Sequence, residues 1–188
     1  MSTIRVVAIP GSLRQGSYNR AALRAAAEVA PEGVEVEIRE LTDIPFYDGD
    51  VERDQGFPPS VAELRRAVAE ADGLLLGSPE YNGSITGVLK NALDWLSRGG
   101  ADSPLRSKPT AMLGAGGRFG TVGSQLHLRD ILIHSGTDLV TSPRVMIDTA
   151  PQRFDDELRL DDPRFRDQIV RLMEELTAKA RRSVPAAG

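Results

Sequence analysis

"IRVVAIPGSLRQGSYNRAALRAAAEVA", residues 4 to 30, changes character twice. Ile4 to Ile9 is a short β-branched run closed by Pro10-Gly11, the pattern of a strand ending in a turn. Asn19 to Ala30 is rich in helix formers and stops before Pro31 and Gly33. The ten residues "GSLRQGSYNR" (11 to 20) carry two glycines, three hydroxyls, two arginines and an asparagine. A tight turn accounts for the glycines but not for the density of small polar groups.

The alternation of strand and helix continues along the chain. "VEVEIREL" (34 to 41) alternates apolar and charged side chains, as a half-exposed strand does. Residues 42 to 59 show neither period and are expected to form a long loop, functional or mobile. Ser60 and Glu63 have capping-box spacing, and Val61, Leu64, Val68 and Ala71 follow at helical intervals. "GLLLGS" (73 to 78) is a continuous apolar run, expected of a central parallel strand buried on both faces.

After "PEYNGS" a helix is expected to open at Ser84, with Ile85, Val88, Leu89, Ala92, Trp95 and Leu96 on one face. Lys90, Asn91, Asp94 and Arg98 occupy the other face, and Trp95 and Leu96 suit either the core or a subunit contact. "PTAMLGAGG" (109 to 117) reads as a buried strand ending in glycines, followed by a helix to about Ser135. "DLVTSPRVMI" (138 to 147) holds a fifth strand interrupted by Pro143. Asp162-Pro163 opens a last helix with Phe165, Ile169, Leu172, Met173 and Leu176 as its inner stripe, and Asp161 or Asp162 as N-cap. The order βαβαβαβαβα predicts an α/β fold: a mostly parallel sheet with helices on both faces. No repeat, low-complexity segment or linker divides it, so a single domain over 1–180 is expected, with 181–188 a frayed tail.

The totals bound the function. The 188 residues suit one domain with a sizeable core. A net charge of −4 argues against nucleic acid as the main partner, since phosphate-backbone binding needs a basic face. With no cysteine there is no disulfide, thiolate metal site or cysteine nucleophile, which fits a reducing compartment. No apolar run approaches the ~18 residues of a membrane span, and the N-terminus has no signal-peptide layout, so a cytoplasmic location is expected. His127 and His134 are seven apart but lack nearby acidic partners, and no metal site is assigned to them. The acidic stretch 154 to 162 is read as a solvated loop and helix start.

In open α/β sheets ligands bind beyond the carboxyl ends of the strands, where strand order reverses. The loops after the first, third and fourth long strands therefore carry the chemistry: "PGSLRQGSYN", "SPEYNGS" and "GAGGRFG". Gly11 and Gly16 have P-loop spacing, yet Ser17 and Tyr18 stand where Lys and Ser/Thr are required and no clear acidic magnesium partner is present, so nucleoside triphosphate hydrolysis is not expected. A dinucleotide fingerprint fails too, because Phe119 replaces the last glycine in "GAGGRF". What remains is hydroxyls at Ser12 and Ser17, an amide at Asn19, the cation Arg14, and backbone N–H groups at a helix N-terminus. That set suits a phosphate monoester; it equally suits a helix cap at Ser17 followed by a solvent-facing turn. In the second loop Pro79 stiffens the chain, Asn82 and Gly83 tolerate left-handed backbone, and Tyr81 offers a flat face with a polar tip. Alone, that loop reads as a turn with one buried tyrosine.

Together, "GSLRQGSYN" and "SPEYNGSITGVLKNALDWLSR" resemble the NADPH-dependent FMN reductase family of flavodoxin-like proteins, which includes quinone, chromate and azo reductases. The likeness runs from "VVAIPGSLR" through "DIPFYD" to "GAGGRFGTVGSQLHLRDIL". It implies a five-stranded parallel sheet in the order 2-1-3-4-5, non-covalent FMN at the switch point, NADPH or NADH as electron donor, and a homodimer or homotetramer. By motif, Ser12, Arg14, Ser17 and Asn19 hold the FMN phosphate. Pro79, Glu80, Tyr81, Asn82 and Gly83 border the isoalloxazine ring, and Gly116, Gly117 and Arg118 flank its other edge. Arg118 suits equally a surface charge or a contact to the nicotinamide nucleotide's phosphate. The implied reaction is hydride transfer from NAD(P)H through the flavin to a small-molecule acceptor in the same pocket, a ping-pong scheme, with no side-chain acid or base nominated. Two alternatives keep the fold: a flavin-binding electron carrier or regulator without its own NAD(P)H turnover, and a flavin-free module for another phosphate ester.

Overall fold

A computed structural model describes residues 3–183. Its strands are β1 (Ile4–Pro10), β2 (Val34–Ile38), β3 (Gly73–Gly77), β4 (Pro109–Ala115), β5 (Asp138–Leu139) and β6 (Val145–Ile147). Its α-helices are α1 (Tyr18–Glu28), α2 (Gly49–Gln55), α3 (Pro59–Glu70), α4 (Gly87–Leu96), α5 (Val122–His134) and α6 (Pro163–Ser183). Every strand pairing is parallel, and the order is β2-β1-β3-β4-β5, with β6 also on β4. The expected fifth strand is thus two short pieces that both use β4, with Pro143 in the irregular stretch between them.

Strand periodicity sorts the core into two layers. Val6, Ala8, Leu75, Ala111 and Leu113 face a cluster built with α1 and α6. Val7, Ile9, Leu74, Leu76 and Met112 face the other, with α3, α4 and α5. β3 is buried at all five positions because it is covered on both faces, whereas edge strand β2 alternates. Each fully buried Leu or Ile in these layers contributes roughly 1.5–3 kcal/mol by leaving water. The alanines of α1 let that helix lie close to β4, and Ala22 and Ala26 are wholly buried.

Several sequence expectations change. The segment 42–59 is not featureless: α2 lies within it, capped by the Asp48 carboxylate accepting from the Asp50 N–H at 2.8 Å. The capping box at Ser60 and Glu63 does not form. α3 starts at Pro59, the Ser60 hydroxyl donates to the Asp43 carbonyl, and Glu63 pairs with Arg39. A proline at the first helical position makes the cap dispensable there. α4 begins at Gly87 with Thr86 as its cap, so Ser84 and Ile85 precede the helix. Asn91 is not on a solvent face. It is buried and binds the 42–59 segment from both ends of its amide, accepting from the Tyr47 N–H and donating to the Pro45 carbonyl. Trp95 belongs to the core, fully buried with its indole N–H on the same Pro45 carbonyl at 2.9 Å. At α6, the Asp162 carboxylate accepts from the Arg164 N–H. That helix continues to Ser183, so 181–183 are helical, and 184–188 lie outside the described residues. In the acidic stretch Asp155 is engaged by Arg159 and by the backbone N–H groups of Glu157 and Arg159.

Candidate functional site

The chain leaves β1 on one side of the sheet and leaves β3 on the other, so the two loops open a crevice between neighbouring strands. The Gly11 N–H donates to the Gly77 carbonyl at 2.7 Å and extends the pairing into the first loop. The Thr86 hydroxyl donates to the Gly11 carbonyl at 2.6 Å while accepting from the Leu89 N–H, so one side chain caps α4 and fixes the first loop.

Beyond these anchors lies a cavity of about 280 Å³. It is lined by Ser12, Arg14, Ser17, Tyr18, Asn19, Pro79, Glu80, Tyr81, Ala115, Gly116, Gly117, Ala150 and Pro151. Nine of the twelve residues proposed from sequence therefore converge on one hollow. Asn82, Gly83 and Arg118 do not line it. Tyr81 and Ser84 exchange both backbone hydrogen bonds across a two-residue turn, with Asn82 at φ 52° and Gly83 at φ 73°. Left-handed backbone at both central positions is what such a hairpin turn requires, and it puts the pair at an exposed tip. Arg118 and Phe119 sit likewise at the tip closed by the Gly120 N–H on the Gly117 carbonyl. Tyr81 is 49% exposed, so it is not the buried turn tyrosine of the plain structural alternative.

The first loop is a helix cap whose remaining donors fit an anion. Ser17 caps α1, its oxygen accepting from the Arg20 N–H at 3.2 Å, which leaves its own proton to donate. The backbone N–H groups of Gln15, Gly16, Tyr18 and Asn19 donate no hydrogen bond among the described residues. They are the orphan donors of a helix start and the turn before it. The first turn of α1 holds no acidic residue, and Arg14 has no carboxylate partner among the described residues. Unpaired N–H groups, two hydroxyls, a free guanidinium and the positive end of a helix together fit a phosphate dianion.

Other predicted residues have structural commitments. Asn19 is buried, and its amide pairs with both backbone groups of Ala115: its NH₂ donates to the carbonyl and its oxygen accepts from the N–H, both at 2.9 Å. It ties α1 to the end of β4, and one amide proton remains for a ligand. Glu80 turns its carboxylate to the Ser124 N–H at 3.1 Å and so caps α5, which has no cap of its own from Thr121. This removes the one carboxylate of the cavity wall from the cradle. The Ser78 and Ser124 hydroxyls bond at 2.7 Å, and His127 Nδ1 lies 2.9 Å from the Ser84 hydroxyl. Gly123 packs so closely that a Cβ there would lie 2.6 Å from the Gly83 carbonyl oxygen. The sequence alone gave His127 no role; here it braces the second loop.

The cavity's last wall escaped sequence reading. Ala150 and Pro151 lie in a 3₁₀ turn, 150–152, pinned when the Thr149 and Ala150 N–H groups donate to the carbonyls of Gly117 and Gly116. Below it Asp148 pairs with Arg153 at 2.8 Å and with Arg164 at 3.4 Å. The hydrogen bond from Arg153, aided by both guanidinium charges, holds the Asp148 carboxyl below its usual range against the opposing cost of desolvation.

A doubly wound parallel sheet, with unpaired N–H groups and small polar side chains gathered at its switch point, defines a flavodoxin-like protein. Comparison with known proteins narrows the class. The family model described as NADPH-dependent FMN reductase matches residues 4–152. A Pseudomonas aeruginosa protein named NAD(P)H-dependent FMN reductase is 44% identical over 180 residues, covering 95% of this chain and 96% of the relative. The quinone reductase of Escherichia coli K12 is 41% identical over 145 residues, covering 76% and 77%. Among solved structures, the flavoenzyme FerB, an NAD(P)H:(acceptor) oxidoreductase from Paracoccus denitrificans, superposes with a TM-score of 0.85 at 26% identity, covering 96% of this chain and 98% of that one. This chain belongs to the NADPH-dependent FMN reductase family.

Proposed function

We propose that this chain is an FMN-dependent oxidoreductase that draws hydride from NADPH or NADH and delivers it to a small-molecule acceptor: a quinone, an azo compound, a metal oxyanion or free flavin. One observation carries the reading. The cavity at the switch point meets α1 with unpaired N–H groups, the Ser12 and Ser17 hydroxyls and a free Arg14, and its one carboxylate is turned away. When bound, FMN supplies the ring that accepts and releases hydride; the chain supplies binding and orientation.

Ser12, Arg14, Ser17 and the N–H groups of Gln15, Gly16, Tyr18 and Asn19 hold the phosphate. Pro79 and the half-exposed face of Tyr81 border the ring on one side, and Gly116 and Gly117 flank its other edge; Gly117 leaves open space there, whereas a Cβ at Gly116 would lie 2.4 Å from the Gly120 carbonyl oxygen. Glu80, the one carboxylate of the wall, is committed to α5, and no side-chain acid or base is nominated. Donor and acceptor then use one opening in turn, which makes the kinetics ping-pong. The names of the Pseudomonas and Escherichia relatives support the donor, the flavin and a quinone acceptor. The same proposal includes a single domain over 1–180, a cytoplasmic location and a homodimer or homotetramer. No helix among the described residues is long and apolar enough to cross a membrane. Val122, Leu126 and Ile133 lie exposed on one face of α5, with Arg129 between the last two, a mixed face that suits self-association.

Anaerobic mixing of the FMN-loaded protein with NADPH, then NADH, tests the reading. The blue absorbance band is expected to bleach, and steady-state oxidation with a quinone should give parallel lines in double-reciprocal plots. A band that persists with both nucleotides in excess overturns it. Bleaching that requires an added reductase assigns the protein as a carrier.

A further inference from the structure

Arg20 does not line the cavity, yet it is bonded to the back of the loop that does. Its Nη1 donates to the carbonyl of Arg14 at 3.1 Å and to that of Gln15 at 3.3 Å. Its Nη2 donates to one oxygen of Glu40 at 2.7 Å, and its Nε lies 2.7 Å from the other as an ion pair without hydrogen-bond alignment. Its own N–H donates to the Ser17 hydroxyl that caps α1. The Arg20 side chain is 19% exposed and Glu40 40% exposed, so the pair is partly withdrawn from water. A rigid planar fork can serve a carboxylate on one edge and carbonyls on the other; an ammonium on a flexible stem cannot.

The consequence for the loop is directional. A peptide group presents its C=O and its N–H on opposite sides. Holding the carbonyls of Arg14 and Gln15 toward Arg20 aims the N–H groups of Gln15 and Gly16 the other way. Those are among the N–H groups left without a partner. Glu40, just beyond edge strand β2, fixes where the guanidinium sits and neutralises it, so Arg20 does not act as a second phosphate charge.

We infer that Arg20, fixed by Glu40, is a positioning residue that holds the phosphate loop with the Gln15 and Gly16 N–H groups turned away from it, between the cavity-lining Arg14 and Ser17, and so sets the preference for a phosphorylated flavin over its unphosphorylated form. The inference rests on the proposed FMN reading of the site. Its test is equilibrium binding to the apo-protein, FMN against riboflavin, by quenching of flavin fluorescence, with thermal unfolding of each apo-variant alongside. For Arg20→Gln, FMN affinity is expected to fall about tenfold, the loss of one or two well-aligned donors. Riboflavin affinity should stay within about twofold, because the phosphate term alone is touched. Arg20→Lys should lose nearly as much, since it keeps the charge and loses the fork.

Glu40→Gln is the decisive variant. It makes the loop's surroundings more positive, so a directly acting Arg20 would bind FMN more tightly, whereas a positioning Arg20 released from its anchor binds FMN several-fold more weakly. Tighter FMN binding by Glu40→Gln, or equal losses for FMN and riboflavin in the Arg20 variants, overturns the inference while leaving the cavity assignment intact. Wild-type protein that binds riboflavin as well as FMN overturns both.

Discussion

Asn19 shows how one side chain can serve fold and site together. Both backbone groups of Ala115 depend on it, and both residues are 3% exposed. Asn19→Ala is expected to lower the unfolding free energy by about 1–3 kcal/mol, the cost of orphaned buried donors and acceptors, as read from urea denaturation. It should weaken FMN binding as well, because the first and third loops lose their tie. Arg14 is the contrasting case, exposed and without an ion-pair partner among the described residues. Arg14→Gln should leave urea stability unchanged. It should raise the FMN dissociation constant by about 10–100-fold, the range for one charge-assisted hydrogen bond to phosphate. Single side chains are also where the sequence is least legible. Small polar residues in "GSLRQGSYN" suit an anion or a helix cap, but nothing local shows that Asn19 would spend its amide on a residue 96 positions away. Nor does the sequence show Glu80 turning to α5. Those choices are made by tertiary packing.

At the level of elements, the cavity depends on how neighbouring pieces are stapled. Thr86 caps α4 and holds Gly11, so Thr86→Val, nearly isosteric, should cost about 1 kcal/mol from the cap alone and more from the freed Gly11 carbonyl. The 3₁₀ turn carrying Ala150 and Pro151 stands on the Asp148–Arg153 pair, which introduces a pH dependence. The Asp148 carboxyl titrates lower in the folded chain than its usual ~3.9 in the unfolded one. Its contribution is therefore present above that value and is lost as the pH falls through the lowered one. Asp148→Asn is expected to be less stable than wild type at neutral pH, with the difference shrinking toward pH ~3, in urea titrations at both pH values. Elements were legible where a period or a fully apolar run marked them: β1, β3, β4, α1 and the stripe of α6. Misreadings gathered where a long-range partner replaced a local signal. Ser60 chose the Asp43 carbonyl over a capping box, and α2 rests on the bonds that Asn91 and Trp95 make to residues 45–47.

For the whole molecule, the order β2-β1-β3-β4-β5 brings loops that are far apart in sequence to one rim. Alternating strand and helix signals predicted the layers; the order itself came from the resemblance, because no single segment encodes which strand neighbours which. The loops are braced to one another before any ligand arrives: the first to the third through Asn19, the first to the second through Thr86, the second to α5 through Ser78, Glu80 and His127. Such a preformed site loses little free energy to ordering on binding. FMN at a hundredfold excess over its dissociation constant should raise unfolding stability by about 2.7 kcal/mol, seen as a higher thermal midpoint than for the apo-protein. The most direct test is a crystal structure of the chain with FMN. The phosphate should lie against Ser12, Arg14, Ser17 and the first N–H groups of α1, with the ring between Tyr81 and Gly116–Gly117. A phosphate bound anywhere else, with the α1 cradle left to water, would contradict the assignment of the site.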